Sequence, residues 1–408
     1  MSTHHHTPST RPSTSTPVRS RAGAVAALTL AVALAGCSVI TGDPIGDESS
    51  PAATSTTTGP PPPTTTSTAT TSTTSTATTS TSTASTAGVV QLALTIHVER
   101  HDSEMTDDAE FDAHLALLDQ LEDVADSHGV ILNFELSTEF VQAVDRWGST
   151  FVEDALARGN GISQHSGDQS TAGLTGAALT AELVRQRAAI EAHGADVRYV
   201  SGGCSADAGW VESAIDAGFT AVTGITEYCL SSLDDASLPA GMDWIRRCTN
   251  PGVCHDPLHI QTERVLHPWT TSTSSDWLTD DPSGRLVLVS AAEVDGLSAM
   301  SQTGDADLAT SLAQWQMLLD DATAAAVPGQ VNVLNFVLSV GPEPDWEVLD
   351  ALFTAADARV AAGQVAWADL GTVVSAAAAE APTQPADAAV VYSDTTPDLG
   401  GGMGNGRP

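Results

Sequence analysis

Between residues 89 and 374 the chain alternates two kinds of pattern. Short apolar runs with β-branched residues predict buried strands, and longer stretches with apolar residues every three or four positions predict amphipathic helices. Strand one is expected at 89–98. A helix over 107–128 follows, with Phe111, Leu115, Leu118, Leu121, Val124 and Ala125 on one face and Gly129 as its stop. Strand two, 130–136, leads to a helix that Ser137 and Thr138 start and that runs to Arg158. Then come a short strand at 162–164, a helix at 175–193, a strand at 197–200, a helix at 206–217 and a strand at 218–222. A long irregular insertion, 224–284, interrupts the rhythm. It resumes with a strand at 285–289, a helix at 305–326, a strand at 331–338, a helix at 345–362 and a last strand at 365–370. Strict alternation predicts a parallel sheet. About seven units favour a closed or nearly closed barrel over an open doubly wound sheet. No G-x-G-x-x-G follows strand one, which argues against a nucleotide-binding fold.

The flanks have no such pattern. Residues 1–36 read as a signal peptide, with Arg11, Arg19 and Arg21 before an apolar run at 22–33 too short to span a bilayer. The run ends in Leu34-Ala35-Gly36-Cys37, which resembles a bacterial lipobox. That resemblance implies cleavage before Cys37, lipidation of its thiol, and an extracytoplasmic protein anchored to the plasma membrane. The alternative is an ordinary signal peptide with an incidental Cys. Residues 37–88 are a Thr/Ser/Pro-rich tether that cannot bury enough apolar surface to offset chain entropy, so disorder is expected. Residues 381–408 have the same character. This leaves 89–380 as the folded domain, ordinary in size for an α/β barrel.

Charge narrows the partners. The net charge is −36, and all 15 basic residues are Arg. Three Arg and three acids fall in the first 88 residues, so 12 Arg face 48 acids in the rest. A field of that sign repels nucleic acid and anionic polymers; it favours neutral or cationic substrates, or simply reflects a salty habitat. Besides Cys37 the chain has Cys204, Cys229, Cys248 and Cys254. An even count in an exported domain reads as two disulfides. The preferred pairing is Cys248 with Cys254, across a short loop, and Cys204 with Cys229. A four-Cys zinc site is the rival, but no C-x2-C spacing supports it.

Candidate chemistry begins at 92–102, where an apolar strand turns polar with His97, Glu99, His101 and Asp102. Residues two apart on a strand share a face, so His97 and Glu99 point the same way at its C-terminal end. Barrels place their chemistry at that end. A His beside a carboxylate suits a divalent metal or a proton-transfer pair. A strand running out into a solvated loop is the plainer alternative.

The order of the pieces resembles the polysaccharide deacetylases, distorted (β/α)7 barrels. The resemblance is carried by Thr95-Ile96-His97-Val98-Glu99, by Arg158-Gly159-Asn160-Gly161-Ile162-Ser163-Gln164-His165-Ser166, and by Arg198-Tyr199-Val200-Ser201-Gly202. Trp210 to Phe219 and Gly363 to Ala368 support it. The resemblance implies a metal-dependent hydrolase acting on acetamide C–N bonds of a cell-surface or environmental polysaccharide. His165 and Ser166 match the family's H-(S/T) pair. Other motif positions depart: the second His would fall at Gln169 or Ser170, the T-F-D-D acids are replaced around His97, and Asn335 stands where a late-strand His belongs. A rebuilt site would use His97, Glu99 and His165 as ligands to a divalent metal, zinc first, leaving a position open for water. Asp168, Glu135 or Asp102 would be the base, and Arg198 would polarise the carbonyl. The other outcome is a non-catalytic glycan-binding or cell-envelope lipoprotein on the same barrel. In a barrel, the loop with His267, Trp269 and Trp277, just before the strand at 285–289, would flank the mouth, the indoles as sugar platforms or as packing for the insertion. Cys254, His255 and His259 are weaker ligand candidates. Glu343 could reach the mouth, whereas Asp345 is more simply a helix cap. No G-x-S-x-G elbow supports a serine hydrolase.

Overall fold

The computed structural model describes residues 88–99, 103–166, 171, 173–204, 209–247, 258, 263–292, 308–339 and 344–380. Nine strands are described: β1 Val90–Val98, β2 Leu132–Leu136, β3 Gly161–His165, β4 Tyr199–Ser201, β5 Ala221–Ile225, β6 Trp269–Thr271, β7 Leu286–Ala292, β8 Asn332–Ser339 and β9 Val365–Trp367. The α-helices among them are α1 Asp108–Ser127, α2 Thr138–Trp147, α3 Phe151–Arg158, α4 Gly176–Glu191, α5 Trp210–Asp216, α6 Glu263–Leu266, α7 Leu308–Ala325, α8 Trp346–Ala361 and α9 Leu370–Ala379.

Seven strands close a parallel barrel in the order β1, β2, β3, β4, β5, β7, β8 and back to β1. Along β1 the alternation sorts side chains between two cores. Leu92, Leu94, Ile96 and Val98 pack in the outer core beneath the helices, with Phe134, Phe140 and Phe151 edge to face. Ala93 turns inward and joins Tyr199, Ala221, Val287, Val289 and Val333. Leu370, Val373 and Val374 of α9 belong to that inner cluster and close the N-terminal end of the barrel. Above this apolar floor the interior becomes polar: the Thr95 hydroxyl donates to Asn335 Oδ1 at 2.7 Å.

Two seams distort the barrel. β9 pairs with residues 90–92 of β1, and β2 takes over from residue 94. Asn133 bridges this split: its amide donates to the Leu94 and Ala368 carbonyls, and its Oδ1 accepts from Leu370 N–H. Gly161 is required beside it, because a Cβ there would sit 2.6 Å from Asn133 Oδ1 and 2.7 Å from Asp369 Oδ1. At the second seam β6 pairs antiparallel with 286–288 of β7, and β8 takes the same edge from residue 291.

Several expectations shift. The helix expected from Ser137 to Arg158 divides at Gly148, whose φ of 68° no helix interior accepts, although Ser137 caps it as expected. The last strand ends at Trp367, and Asp369 instead caps α9 through Gly371 and Thr372 N–H. Asp345 is the expected cap of α8. The Cys204–Cys229 disulfide is present, while Cys248 and Cys254 lie outside the described residues. Cys37, the tether and the tail lie outside them too. Among the described residues no helix is long and apolar enough to cross a membrane.

Candidate metal centre

Strand register assembles the site. His97 near the end of β1 lies beside Glu135 of β2, and His165 at the end of β3 lies beside Ser201 of β4. Neighbours in a parallel sheet share a face, so all four side chains enter the barrel near its C-terminal end. The rings of His97 and His165 meet there with centroids 4.1 Å apart. Glu99, two residues past His97, brings Oε1 to 3.6 Å from His165 Nε2. One ligand atom from each of His97, Glu99 and His165 falls within 4.8 Å of the others. Among the described residues this is the group of His, Cys, Asp or Glu so placed.

Burial is graded across the three. His165 is buried, His97 mostly so, and the Glu99 side chain is 55% exposed. Solvent therefore reaches the group from the Glu99 side. Two imidazoles and one carboxylate match the donors of catalytic zinc sites, which leave a fourth position open. Ligands about 2.0–2.2 Å from one ion lie at most about 4.4 Å apart, so atoms spread up to 4.8 Å would draw together on binding.

Beneath the histidines sits an unusual group. Glu135 is fully buried. Thr223, from β5 across the barrel, donates its hydroxyl to Glu135 Oε1 at 2.6 Å. Glu135 Oε2 lies 3.0 Å from His97 Nε2. The two atoms are in ion-pair range but out of line for a hydrogen bond, and both are buried without an aligned partner. A carboxylate at this depth needs a compensating positive charge. No Arg is paired with it in the described ion pairs, so His97 and any cation it holds are the compensation the site offers. One layer down, Tyr199 has its phenol pKa pushed up by burial first and by the Glu135 charge second.

Other expected residues lie elsewhere. Arg198 is a correction. It precedes β4, at the barrel's closed end, where it bonds Asp196 at 2.7 Å and Ser375 of α9 at 3.1 Å. It points away from the histidines and polarises nothing there. Trp269 and Trp277 are buried, not displayed at the mouth. Trp269 Nε1–H donates to the Trp277 carbonyl, and Trp210 and Trp277 both donate to Ser232 Oγ. These indoles pack the insertion and offer no sugar platform. Asp345 is spent on its helix. Asp168, Asp102, His101, His255, His259 and Glu343 lie outside the described residues.

Sequence reasoning missed Ser201 and Thr223. Ser201 Oγ lies 2.8 Å from His165 Nδ1. Their signal is weak, since a hydroxyl at a strand end is common, and only the register with His165 and Glu135 gives it meaning.

No family model and no curated protein matches this chain. Solved structures do. The chain is similar to a protein assigned as a polysaccharide deacetylase from Mycobacterium smegmatis, at 14% identity and TM-score 0.47, over 74% of this chain and 94% of that one. It is similar to Puue allantoinase at 10% identity and TM-score 0.47, over 73% and 93%. A protein assigned as a polysaccharide deacetylase from Pseudomonas aeruginosa PAO1 aligns at 11% identity and TM-score 0.46, over 73% and 93%. At these values the likeness carries no argument, and the chemistry rests on the residues above.

Proposed function

We propose that this chain is a metal-dependent hydrolase of C–N bonds, of the acetamide kind, in a cell-surface or environmental polysaccharide. One observation supports the reading most: His97, Glu99 and His165 bring ligand atoms within 4.8 Å of one another at the C-terminal end of the barrel. A divalent ion there, zinc by its taste for mixed nitrogen and oxygen donors, would polarise a carbonyl oxygen and acidify a bound water.

The chain's own residues do the rest. The half-exposed Glu99 faces the approach side, and the buried rings hold the inner side dry. Asp168, three residues after His165 in sequence, is proposed as the base that takes the proton from the attacking water. Arg198 has no part. The acidic chain suits a neutral glycan or one already bearing amines. A purely glycan-binding role loses the support it would have drawn from displayed tryptophans, since Trp269 and Trp277 are buried.

The reading includes an extracytoplasmic place, with Cys37 lipidated after cleavage of residues 1–36. Metabolic labelling with a fatty-acid analogue tests this: wild type should take up label and Cys37→Ala should not. The activity is tested by acetate release from acetylated glycans. Release should require the metal and be lost in Asp168→Asn. Release that persists in the chelated protein would overturn the reading.

A further inference from the structure

We infer that Gln186, on α4, is a positioning residue for His165: it locks Gln164 and Ser166, the neighbours on either side of that histidine, and so fixes the strand end that carries the ring. The inference deepens the metal-centre reading and rests on it for its function, though not for its geometry.

Alternation along β3 sets up the arrangement. Gln164 and Ser166 face the helix layer, where both bond Gln186. His165, between them, faces the barrel interior, where its ring meets that of His97. Three side chains close a hydrogen-bonded triangle behind it. Gln164 Nε2 donates to Ser166 Oγ at 2.7 Å and to Gln186 Oε1 at 2.6 Å, and Ser166 Oγ donates to the same Oε1 at 3.0 Å. All three residues are buried. Polar groups at that depth hold firmly to their bonds, because breaking one leaves a donor or acceptor stranded away from water. The backbone secures the same strand end from β4: Ser166 N–H donates to the Ser201 carbonyl at 2.9 Å.

The pattern of α4 marks Gln186 as unusual. Its buried face is Leu179, Leu183, Gln186 and Ile190. An apolar residue is the ordinary occupant of such a stripe, and the one amide in it stands against the flanks of His165. Glu182, one turn earlier, decides which way that amide points. Gln186 Nε2 donates to Glu182 Oε1 at 2.9 Å. A carboxylate only accepts, so the amide turns its nitrogen to Glu182 and its oxygen to β3. Arg185 donates through Nε to Glu182 Oε2 at 2.9 Å and through Nη2 to Oε1. These bonds hold the Glu182 carboxyl below its ordinary range against the opposing effect of burial. Gln164 then has one fitting orientation as well, since its oxygen turned toward Gln186 would set two acceptors face to face.

The test has one readout that needs no metal. Gln186→Leu keeps the size and completes the apolar stripe. Hydrogen exchange is followed by mass spectrometry in chelated full-length protein. Peptides covering 161–166 should exchange about tenfold faster than in wild type, the effect of one lost buried bond on local opening, while peptides from β1 and β2 stay unchanged. Equal acceleration everywhere, the mark of a merely structural role, overturns the inference, and so does unchanged exchange at 161–166. Should Gln186→Leu fail to fold, Ser166→Ala replaces it, opening one corner of the triangle, with a severalfold acceleration expected in the same peptides.

The second readout is cobalt(II) affinity by competition with a chelator. Gln186→Leu should weaken it about tenfold, the low end for groups that orient metal ligands. Wild-type affinity in a variant with faster exchange overturns the role toward His165. Faster exchange at 161–166 without any cobalt uptake by wild type would uphold the lock and sink the metal reading.

Discussion

His165 is held from several sides. Ser201 engages Nδ1, the His97 ring lies against it, and Gly202 leaves room beside its Cε1 that a Cβ would take, to within 3.2 Å. Removing the imidazole should therefore cost function more than fold. His165→Ala is expected to lose metal uptake in equilibrium dialysis while its melting temperature moves by only a few degrees, the size of about 1–2 kcal/mol in a domain like this. Gly202→Ala is the converse case. Alanine there adopts a left-handed backbone and presses on the Ser166 carbonyl. A loss of about 1–3 kcal/mol is expected, read as a lower urea midpoint; an unchanged midpoint would remove the close approach from the account. At this scale the sequence showed His97, Glu99 and His165, because alternation and strand ends are visible in one dimension. Arg198 misled because a motif match does not say which end of a strand a residue occupies. For Trp269 and Trp277 the sequence left sugar platform and insertion packing open, because nothing local distinguishes a displayed indole from one buried against Trp210 and Ser232, and packing is what the structure has.

Elements were largely legible because each buried strand and each amphipathic helix carries its own period. The failures have physical causes. Gly148 divides a helix without breaking its apolar rhythm. β6 is three residues inside an irregular insertion, too short for any period. α9 follows β9 so closely that its first residue was read as strand. Two contacts between elements give predictions. The Cys204–Cys229 bond ties the end of β4 to the start of the insertion across 25 residues. A loop of that size corresponds to about 3 kcal/mol of chain entropy, so Cys204→Ala/Cys229→Ala should lose about that much in denaturant titrations.

The second contact is His128, at the end of α1, which bonds Asp357 at 3.0 Å and Asp350 at 3.2 Å, both on α8. Burial lowers its pKa, but the two carboxylates outweigh burial and leave it raised. A raised histidine stabilises the fold below its ordinary titration range, and that stabilisation fades as pH rises through the folded value. The stability gap between wild type and His128→Gln should therefore be larger near pH 6 than near pH 9 (about half a unit below and well above the ordinary value). It should also shrink in high salt, because both carboxylates are exposed. A gap that grows with pH would show that the ring works by packing, and its edge contact with Phe353 would be the reason.

The whole molecule joins a closed barrel to a strongly negative surface. The barrel has an apolar floor sealed by α9 and a polar upper half ending in two histidines and a carboxylate. A closed or nearly closed barrel was readable from about seven strand–helix units, whereas the paired seams at β9 and β6 were not, since they depend on which strand edges remain free after closure. The net negative charge repels anionic polymers and attracts cations in general. His97, Glu99 and His165 are the proposed ligands of a divalent ion. Elemental analysis of the purified chain, before chelation, after it and after titration with zinc, reads their occupancy. About one divalent ion per chain is expected, removed by chelator, regained on titration, and absent from His165→Ala. A chain that carries no metal and takes up none, or a His165→Ala variant that keeps its full complement, would overturn this ligand set.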